Sequence, residues 1–308
     1  MLQKEKKYDV AILGPGAIGQ LLAHQLLAQS FSVCFLYKKK LSIDTPFVCT
    51  DNNKNIKNYI ETFALTENIG KDIKQLIVAT KTYQTYEALQ TVLQWLPTSC
   101  PIIFIQNGLG IQLDIIKKWS QHYYWIASTS QGVYKKSMHH IIFNGTGEQF
   151  ISPLNHNSID CPIVFSRLHY QYMPNYQTMV WQKLTINTII NTLTLRDNIK
   201  NGQLLDLKYE NEIYIIATEL EAIATALNIK DSIAKILKRT YTVIERTQNN
   251  ISSTLCDFNQ GKATEIEDII GFMIKKIQEH QLKCEKIYKL YKQITTSSFD
   301  LMINKGYN

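Results

Sequence analysis

The chain has 308 residues, enough for a large buried core and, by size, for two domains. With 45% hydrophobic and 19% charged residues it reads as an ordinary globular protein, which excludes a disordered or fibrous class. The net charge of +7 is scattered lysine; Lys38-Lys39-Lys40 is the longest run in the first half, and others such as Lys135-Lys136 are no more than pairs. That argues against nucleic acid and for modest attraction of a small anionic ligand.

Met1 to Lys7 is charged, but the apolar run after it is broken by glycines 14, 16 and 19. This is a strand and turn rather than a signal peptide, and no segment has the apolar length to span a bilayer. Six cysteines without a C-x-x-C pair, in a chain too large to need disulfides, fit a reducing cytoplasm. The seven histidines are dispersed; His139-His140 has no acidic or cysteine partner at ligand spacing, so no metal site is expected.

Tyr8 to Leu13 is a short apolar run of the kind found in the middle of a parallel sheet. Gly14-Pro15-Gly16-Ala17-Ile18-Gly19 follows, then a helical pattern through Leu27. In such a turn the first glycine permits the bend, the second lets a pyrophosphate approach the backbone, and the third lets helix and strand pack closely. The phosphates sit on unpaired amides at the helix start. A methyltransferase glycine loop is the competing interpretation.

A second strand, Ser32 to Tyr37, ends at Lys38-Lys39-Lys40, where an NAD enzyme would carry an acid for the ribose hydroxyl. A solvated surface triplet is one explanation; a contact to a 2′-phosphate, with Lys38 nearest, is the other and favours NADP(H). Buried strands are also expected at Leu76–Thr80 and Ile102–Ile105, with a helix over Thr85–Trp95 between them. They end at Lys81 and at Gln106-Asn107-Gly108-Leu109-Gly110, the strand ends beyond which ligands collect in open α/β sheets. Trp125–Ser130 reads as a strand followed by Gln131-Gly132-Val133. Residues 144 to 153 read as a turn and a short strand.

The domain boundary is placed at Met173-Pro174-Asn175, giving domains 1–174 and 175–308. Beyond it, amphipathic stretches at 178–195, 203–227, 231–247 and 264–293 predict a helical domain. Within the first, Lys183, Asn187 and Asn191 recur at i, i+4 and i+8 as one polar stripe. Trp181, Leu184, Ile186, Ile189, Ile190 and Leu193 cover most of the remaining circumference, so this helix is expected to be buried nearly all round. Buried amine and amide groups cost free energy unless partnered. The partner is either neighbouring backbone, in a structural seam, or a bound substrate.

Asn201-Gly202 breaks the helices, and Asn201 either caps one or reaches a ligand. Ser252-Ser253 reads as a loop. Thr264-x-x-Glu267 has capping-box spacing, which puts Glu265 in the first turn of a helix. Glu265 then either complements the helix dipole or faces the Lys183 stripe.

Taken together, these residues resemble the ketopantoate reductase (2-dehydropantoate 2-reductase) family over nearly the whole chain. The likeness rests on Gly14-x-Gly16-x-x-Gly19, Lys81, Gln106 to Gly110, Trp181-x-Lys183-Leu184-x-x-Asn187-x-x-x-Asn191, Ser252-Ser253 and Thr264-Glu265-Ile266-Glu267. The glycine motif is common to many families; the lysine–asparagine helix and the serine–glutamate block are much more specific. The resemblance implies an α/β fold, a Rossmann-type doubly wound domain joined to an all-helical one. It implies NADPH-dependent reduction of 2-dehydropantoate to (R)-pantoate on the route to pantothenate and coenzyme A.

By the same resemblance Lys183 is the proton donor, and Asn187, Asn191, Asn201 and Ser253 hold the substrate. Asn107 touches cofactor and substrate. Gly14, Pro15, Gly16, Ala17, Ile18, Gly19, Lys38, Lys81, the Val133 backbone and Glu265 contact NADPH or organise the site. Three departures stand out. Lys38 replaces a common arginine, keeping the charge but losing a bidentate fork; Thr254 and Cys256 replace methionine and glutamine, and Lys262 replaces an arginine, changes that border the substrate loop.

The expected partner is a small 2-keto acid, with no nucleic acid or membrane, in a monomer or homodimer. Two further functions compete: an NADP-linked reductase of another branched 2-keto acid, and a non-catalytic NADP(H) sensor. A sensor would need only the first domain, and gives no reason for Lys183 with both asparagines.

Overall fold

The structure is a computed structural model and describes residues 8–108, 110–155 and 161–304. Met1–Lys7 and Leu109, both used above, lie outside the described residues. The chain divides into two compact units. One holds Met1–Gln106 and Ile111–Met179; the other holds Asn107–Gly110 and Val180–Asn308. The loop after the Ile102 strand therefore groups with the helical unit, and the division along the chain falls inside a helix.

In the first unit β1 (Val10–Leu13), β2 (Val33–Tyr37), β5 (Glu61–Ala64), β6 (Leu76–Val78), β7 (Ile102–Phe104) and β8 (Tyr124–Thr129) run parallel in the order β5-β2-β1-β6-β7-β8. β11 (Gln149–Pro153) adds antiparallel to β8, and β12 (Gln171–Tyr172) parallel to β11. Val10, Ile12, Ile77 and Ile103 are fully buried, which is why these strands read as unbroken apolar runs. The chain reverses direction of travel across the sheet between β1 and β6, the switch point beyond which open α/β sheets bind ligands. The expected Rossmann-type doubly wound sheet is present, and the expected helix over 85–95 is α2 (Thr82–Val92).

A second sheet was not foreseen. β3 (Phe47–Asp51), β4 (Lys54–Asn58), β9 (Gly132–Ser137) and β10 (His140–Gly145) pair in the order β4-β3-β10-β9. This sheet packs on α1 (Ala17–Ala28), through Leu21, Cys49 and Ile141 with Val133 and Phe143 around them. The other side of α1 lies on the large sheet through Leu22, Ala23 and Leu26. The helix is thus buried on both sides, as its nearly continuous apolar sequence requires. Residues 144–153, expected to be a turn and one strand, end β10 and form β11. The segment 162–173 forms α4 (Ile163–Arg167) and β12.

The second unit is helical among its described residues. α5 (Tyr176–Asp197) is followed by short 3-10 turns at Asn201–Leu205 and Leu207–Tyr209, then α6 (Glu210–Ala226), α7 (Ile233–Arg246) and α8 (Ser253–Asn259). A π turn at Glu267–Gly271 runs directly into α9 (Phe272–Glu279), and α10 (Glu285–Asn304) follows. Three expectations are corrected. The stretch 203–227 is helical only from Glu210, because the two 3-10 turns precede it. The stretch 264–293 is not one helix; it carries the π turn and breaks after Glu279. Ser252-Ser253 is not a loop: the Ser252 hydroxyl accepts from the Leu255 amide at 3.3 Å and caps α8.

Candidate active site

The glycine turn of the first unit has the shape that its sequence demands. Gly14 sits at φ +101, and a Cβ there would lie 2.9 Å from the Thr80 side chain and 3.0 Å from the Thr80 amide. At Gly19 a Cβ would come within 2.2 Å of the Gly14 carbonyl. Gly16 differs: its missing Cβ would meet nothing closer than the Ala79 carbonyl at 3.6 Å. Protein packing does not require a glycine at 16, whereas a ligand lying against the backbone does. α1 starts at Ala17 with no side-chain cap and no acidic residue in its first turn, so Ala17 and Ile18 begin a helix whose dipole favours an anion. These residues fit a dinucleotide's pyrophosphate.

The turn is braced from the small sheet. Gln20, fully buried, donates to the Pro15 carbonyl at 2.9 Å and to the Met138 carbonyl at 2.8 Å. Lys135 donates to the Pro15 carbonyl at 3.1 Å. Sequence reasoning missed both braces. The visible signals were a glutamine in an apolar helix and the Lys135-Lys136 pair.

Val133 lies in β9, its side chain packed against the cluster of Leu21, Cys49 and Ile141. Lys38 follows β2 with its ammonium 5.8 Å from the Tyr37 ring centre, and it is exposed. Lys40 instead pairs with Glu67 at 3.8 Å. Lys81 stands at the N-cap position of α2, after β6. Behind it, Gln106 donates to the Thr80 carbonyl at 2.9 Å and accepts from Gln112 at 3.2 Å, a buried network that fixes the ends of β6 and β7.

In the second unit α5 is held from three neighbours. The Trp181 indole donates to Asp231 at 3.1 Å, and Arg239 of α7 grips the same carboxylate at 2.9 and 2.5 Å. Thr194 and Ser252 share a hydroxyl hydrogen bond of 2.8 Å to α8. Arg196 forks onto Glu212 of α6 at 2.5 and 2.9 Å. Trp181, Leu184, Ile189, Ile190 and Leu193 are buried, as the periodicity predicted; Ile186 is half-buried.

The stripe then spans about 12 Å from Lys183 to Asn191 at the helical rise. Lys183 and Asn187 are half-buried and Asn191 is buried. Among the described residues, neither the Asn187 nor the Asn191 side chain has a hydrogen-bond partner. Burial pulls the Lys183 ammonium down from 10.5 to about 8, with the Glu265 carboxylate opposing. Glu265, only 6% exposed, accepts from the Asn107 amide at 3.1 Å.

The Thr264-x-x-Glu267 capping box is not formed. Helical backbone begins at Ile266, the Glu265 carbonyl accepts from the Ile269 amide at 3.1 Å, and the Glu267 carboxylate turns to Tyr291. The structure thus brings Lys183, Asn107 and Glu265 into one electrostatic group, with Asn187 and Asn191 along the same helix.

Asn201 opens a 3-10 turn instead of capping a helix. Its amide donates to Thr247 at 2.9 Å, while its own carbonyl oxygen is buried without a partner among the described residues. Ser253 is exposed at the first position of α8; the buried serine is Ser252. Thr254 is buried and Cys256 half-buried on that helix. No group of three or more metal-ligating side chains is found among the described residues, nor a helix long and apolar enough to cross a membrane.

The sequence profile described as "Ketopantoate reductase PanE/ApbA" matches residues 10–156, and that described as "Ketopantoate reductase PanE/ApbA C terminal" matches 175–297. Among curated proteins, the 2-dehydropantoate 2-reductase of Vibrio cholerae is 26% identical over 298 residues, covering 94% of this chain and 97% of its own. Among solved structures, a D-mandelate dehydrogenase with NADH and anilino(oxo)acetate superposes with a TM-score of 0.85 at 17% identity, covering 95% of this chain and 99% of its own. The probable 2-dehydropantoate 2-reductase of Bacillus subtilis gives 0.78 at 22%, covering 94% and 99%. At these identities the structural likenesses establish the fold.

Proposed function

We infer the activity from one premise: the chain belongs to the ketopantoate reductase family. It is accordingly a 2-dehydropantoate 2-reductase-like oxidoreductase. The reaction we propose is the NADPH-dependent reduction of 2-dehydropantoate to (R)-pantoate, a step towards pantothenate and coenzyme A, carried out in the cytoplasm. The observation that carries this reading is Lys183: an ammonium pulled down to about 8, beside a carboxylate and on one stripe with two amides whose hydrogen-bonding capacity is open.

When bound, the nicotinamide supplies the hydride. Every other task falls to this chain. As the keto carbon is reduced, negative charge develops on its oxygen; the Lys183 ammonium stabilises that charge and delivers the proton. A pKa near 8 suits a donor that must be protonated at neutral pH yet release its proton readily. Glu265 keeps the lysine from being driven lower still, and Asn107 holds Glu265 without adding a charge. Asn187, Asn191, Asn201 and Ser253 are assigned to the carboxylate and hydroxyl of the acid. The open carbonyl of Asn201 suits a hydroxyl donor.

Gly14 to Gly19 would hold the pyrophosphate and Lys38 the 2′-phosphate, with Lys81 and the Val133 backbone along the cofactor. Lys38, unlike Lys40, has no carboxylate partner among the described residues, which supports NADPH over NADH.

A second reading, reduction of a different branched 2-keto acid, draws on Thr254 and Cys256 beside the serine pair. Following NADPH absorbance with ketopantoate and with a panel of branched 2-keto acids separates the two. Turnover with none of them, together with tight NADPH binding, would establish the sensor instead.

A further inference from the structure

We propose that Gly108 and the π turn Glu267–Gly271 form a positioning device that fixes the Glu265 carboxylate relative to the Lys183 amine. The proposal deepens the reading above and rests on it, since it assigns a task to residues outside the reacting groups.

Two contacts join the Asn107 loop to the start of the π turn. The Asn107 amide donates to Glu265 at 3.1 Å. At the next residue, Gly108 adopts φ +83, and a Cβ there would lie 2.7 Å from the Asp268 carbonyl oxygen and 2.8 Å from the Asp268 Cβ. Bare backbone at 108 is therefore pressed against the second residue of the π turn. Any side chain would separate the two segments and draw Asn107 away from Glu265.

The π turn supplies the matching surface. Accommodating an extra residue shifts the phase of the helix by about 100°. Asp268 can thus face Gly108 while Met273, Ile274 and Ile277 of α9 remain in the core. A π turn is weaker than α-helix, so something must hold it. Ile269 and Ile270 are buried beneath it. The Tyr291 hydroxyl of α10 donates to the Glu267 carboxylate at 3.0 and 3.1 Å. At Gly271 a Cβ would come within 2.5 Å of the Glu267 Oε2. Glycines on both sides thus let the turn close.

Of the three acids in this segment, Glu267 is engaged by Tyr291, Asp268 contacts Gly108, and Glu265 acts on Lys183. Moving Glu265 weakens a charge that raises the Lys183 pKa, so the lysine loses its proton at lower pH.

The test is the pH dependence of kcat for the full-length wild type, Glu265→Gln, Gly108→Ala and Tyr291→Phe. The wild type is expected to lose activity on an alkaline limb near 8. Gly108→Ala should move that limb down by about 0.5–1 pH unit, in the same direction as Glu265→Gln, and lower kcat by about tenfold or more. NADPH binding should be retained. If Gly108→Ala does not fold, Tyr291→Phe carries the test, with a smaller shift in the same direction.

A variant that loses activity with the limb unmoved overturns the inference, because a merely structural glycine would lower activity without altering the lysine's titration. Wild type inactive on every 2-keto acid overturns the functional reading itself, a result distinct from an active wild type whose variants fail to shift.

Discussion

Asn107 and Glu265, 158 positions apart in the sequence, meet in a 3.1 Å hydrogen bond from amide to carboxylate. A neutral amide anchors the carboxylate while leaving its charge intact. That charge is what Lys183 feels, against the burial that lowers its pKa.

Replacing Lys183 with methionine should lower kcat by about 10²- to 10⁴-fold, the usual contribution of a positioned acid. NADPH binding should survive. The same change should stabilise the fold by roughly 1–3 kcal/mol at pH 7, because a half-buried ammonium with a depressed pKa is held in the folded state at a cost. Chemical denaturation of the two proteins measures this. A Lys183→Met protein less stable than wild type would mark the lysine as a structural ion rather than a proton donor.

Stability of the wild type should rise with pH between about 8 and 10.5. In that window the unfolded chain keeps the Lys183 proton that the folded chain has released. The cost of the charged form is fully present below about 8 and relieved above 10.5. Unfolding curves of wild type and Lys183→Met across this range should converge as the pH increases. Parallel curves would show that Lys183 has an ordinary pKa.

Gly16 and Gly19 should respond oppositely to alanine. At Gly19 the added Cβ meets the Gly14 carbonyl at 2.2 Å, so the variant should lose about 1–3 kcal/mol of stability. At Gly16 the space is open, and stability should stay within about 0.5 kcal/mol of wild type. Yet NADPH should bind Gly16→Ala about tenfold or more weakly, since the methyl occupies the approach of the pyrophosphate. Unaltered cofactor affinity in a stable Gly16→Ala protein would remove the phosphate from this turn.

Lys38→Glu should raise the KM for NADPH roughly tenfold and leave that for NADH nearly unchanged. Lys40→Gln should leave the ratio of the two alone, because Lys40 already faces Glu67. Steady-state kinetics with both cofactors decides it. Equal effects on NADPH and NADH would place the 2′-phosphate elsewhere, or show that the enzyme prefers NADH.

Several elements could be read from the chain because their signals are local. β1, the glycine turn and α1 are contiguous, and each step of that unit is visible within twenty residues. The Lys183 stripe follows from helical periodicity alone, as does the burial of Trp181, Leu184 and Leu193 around it. The small sheet could not be read. β3 and β4 are only five residues long; β3 buries Phe47 and Cys49 while β4 is largely exposed, and β3 finds its partner β10 some ninety residues away. The same holds for Lys135, whose contact with Pro15 depends on that sheet.

By itself, then, the sequence determined the strand–turn–helix unit and the polar stripe of α5, since both are written in residues that neighbour one another along the backbone. Only the tertiary structure decided which serine is buried, that a π turn interrupts the 264–293 stretch, and that Asn107 and Gly108 meet Glu265 and Asp268. These depend on distant segments coming into contact, where hydrogen bonding and steric exclusion, rather than local periodicity, choose the conformation.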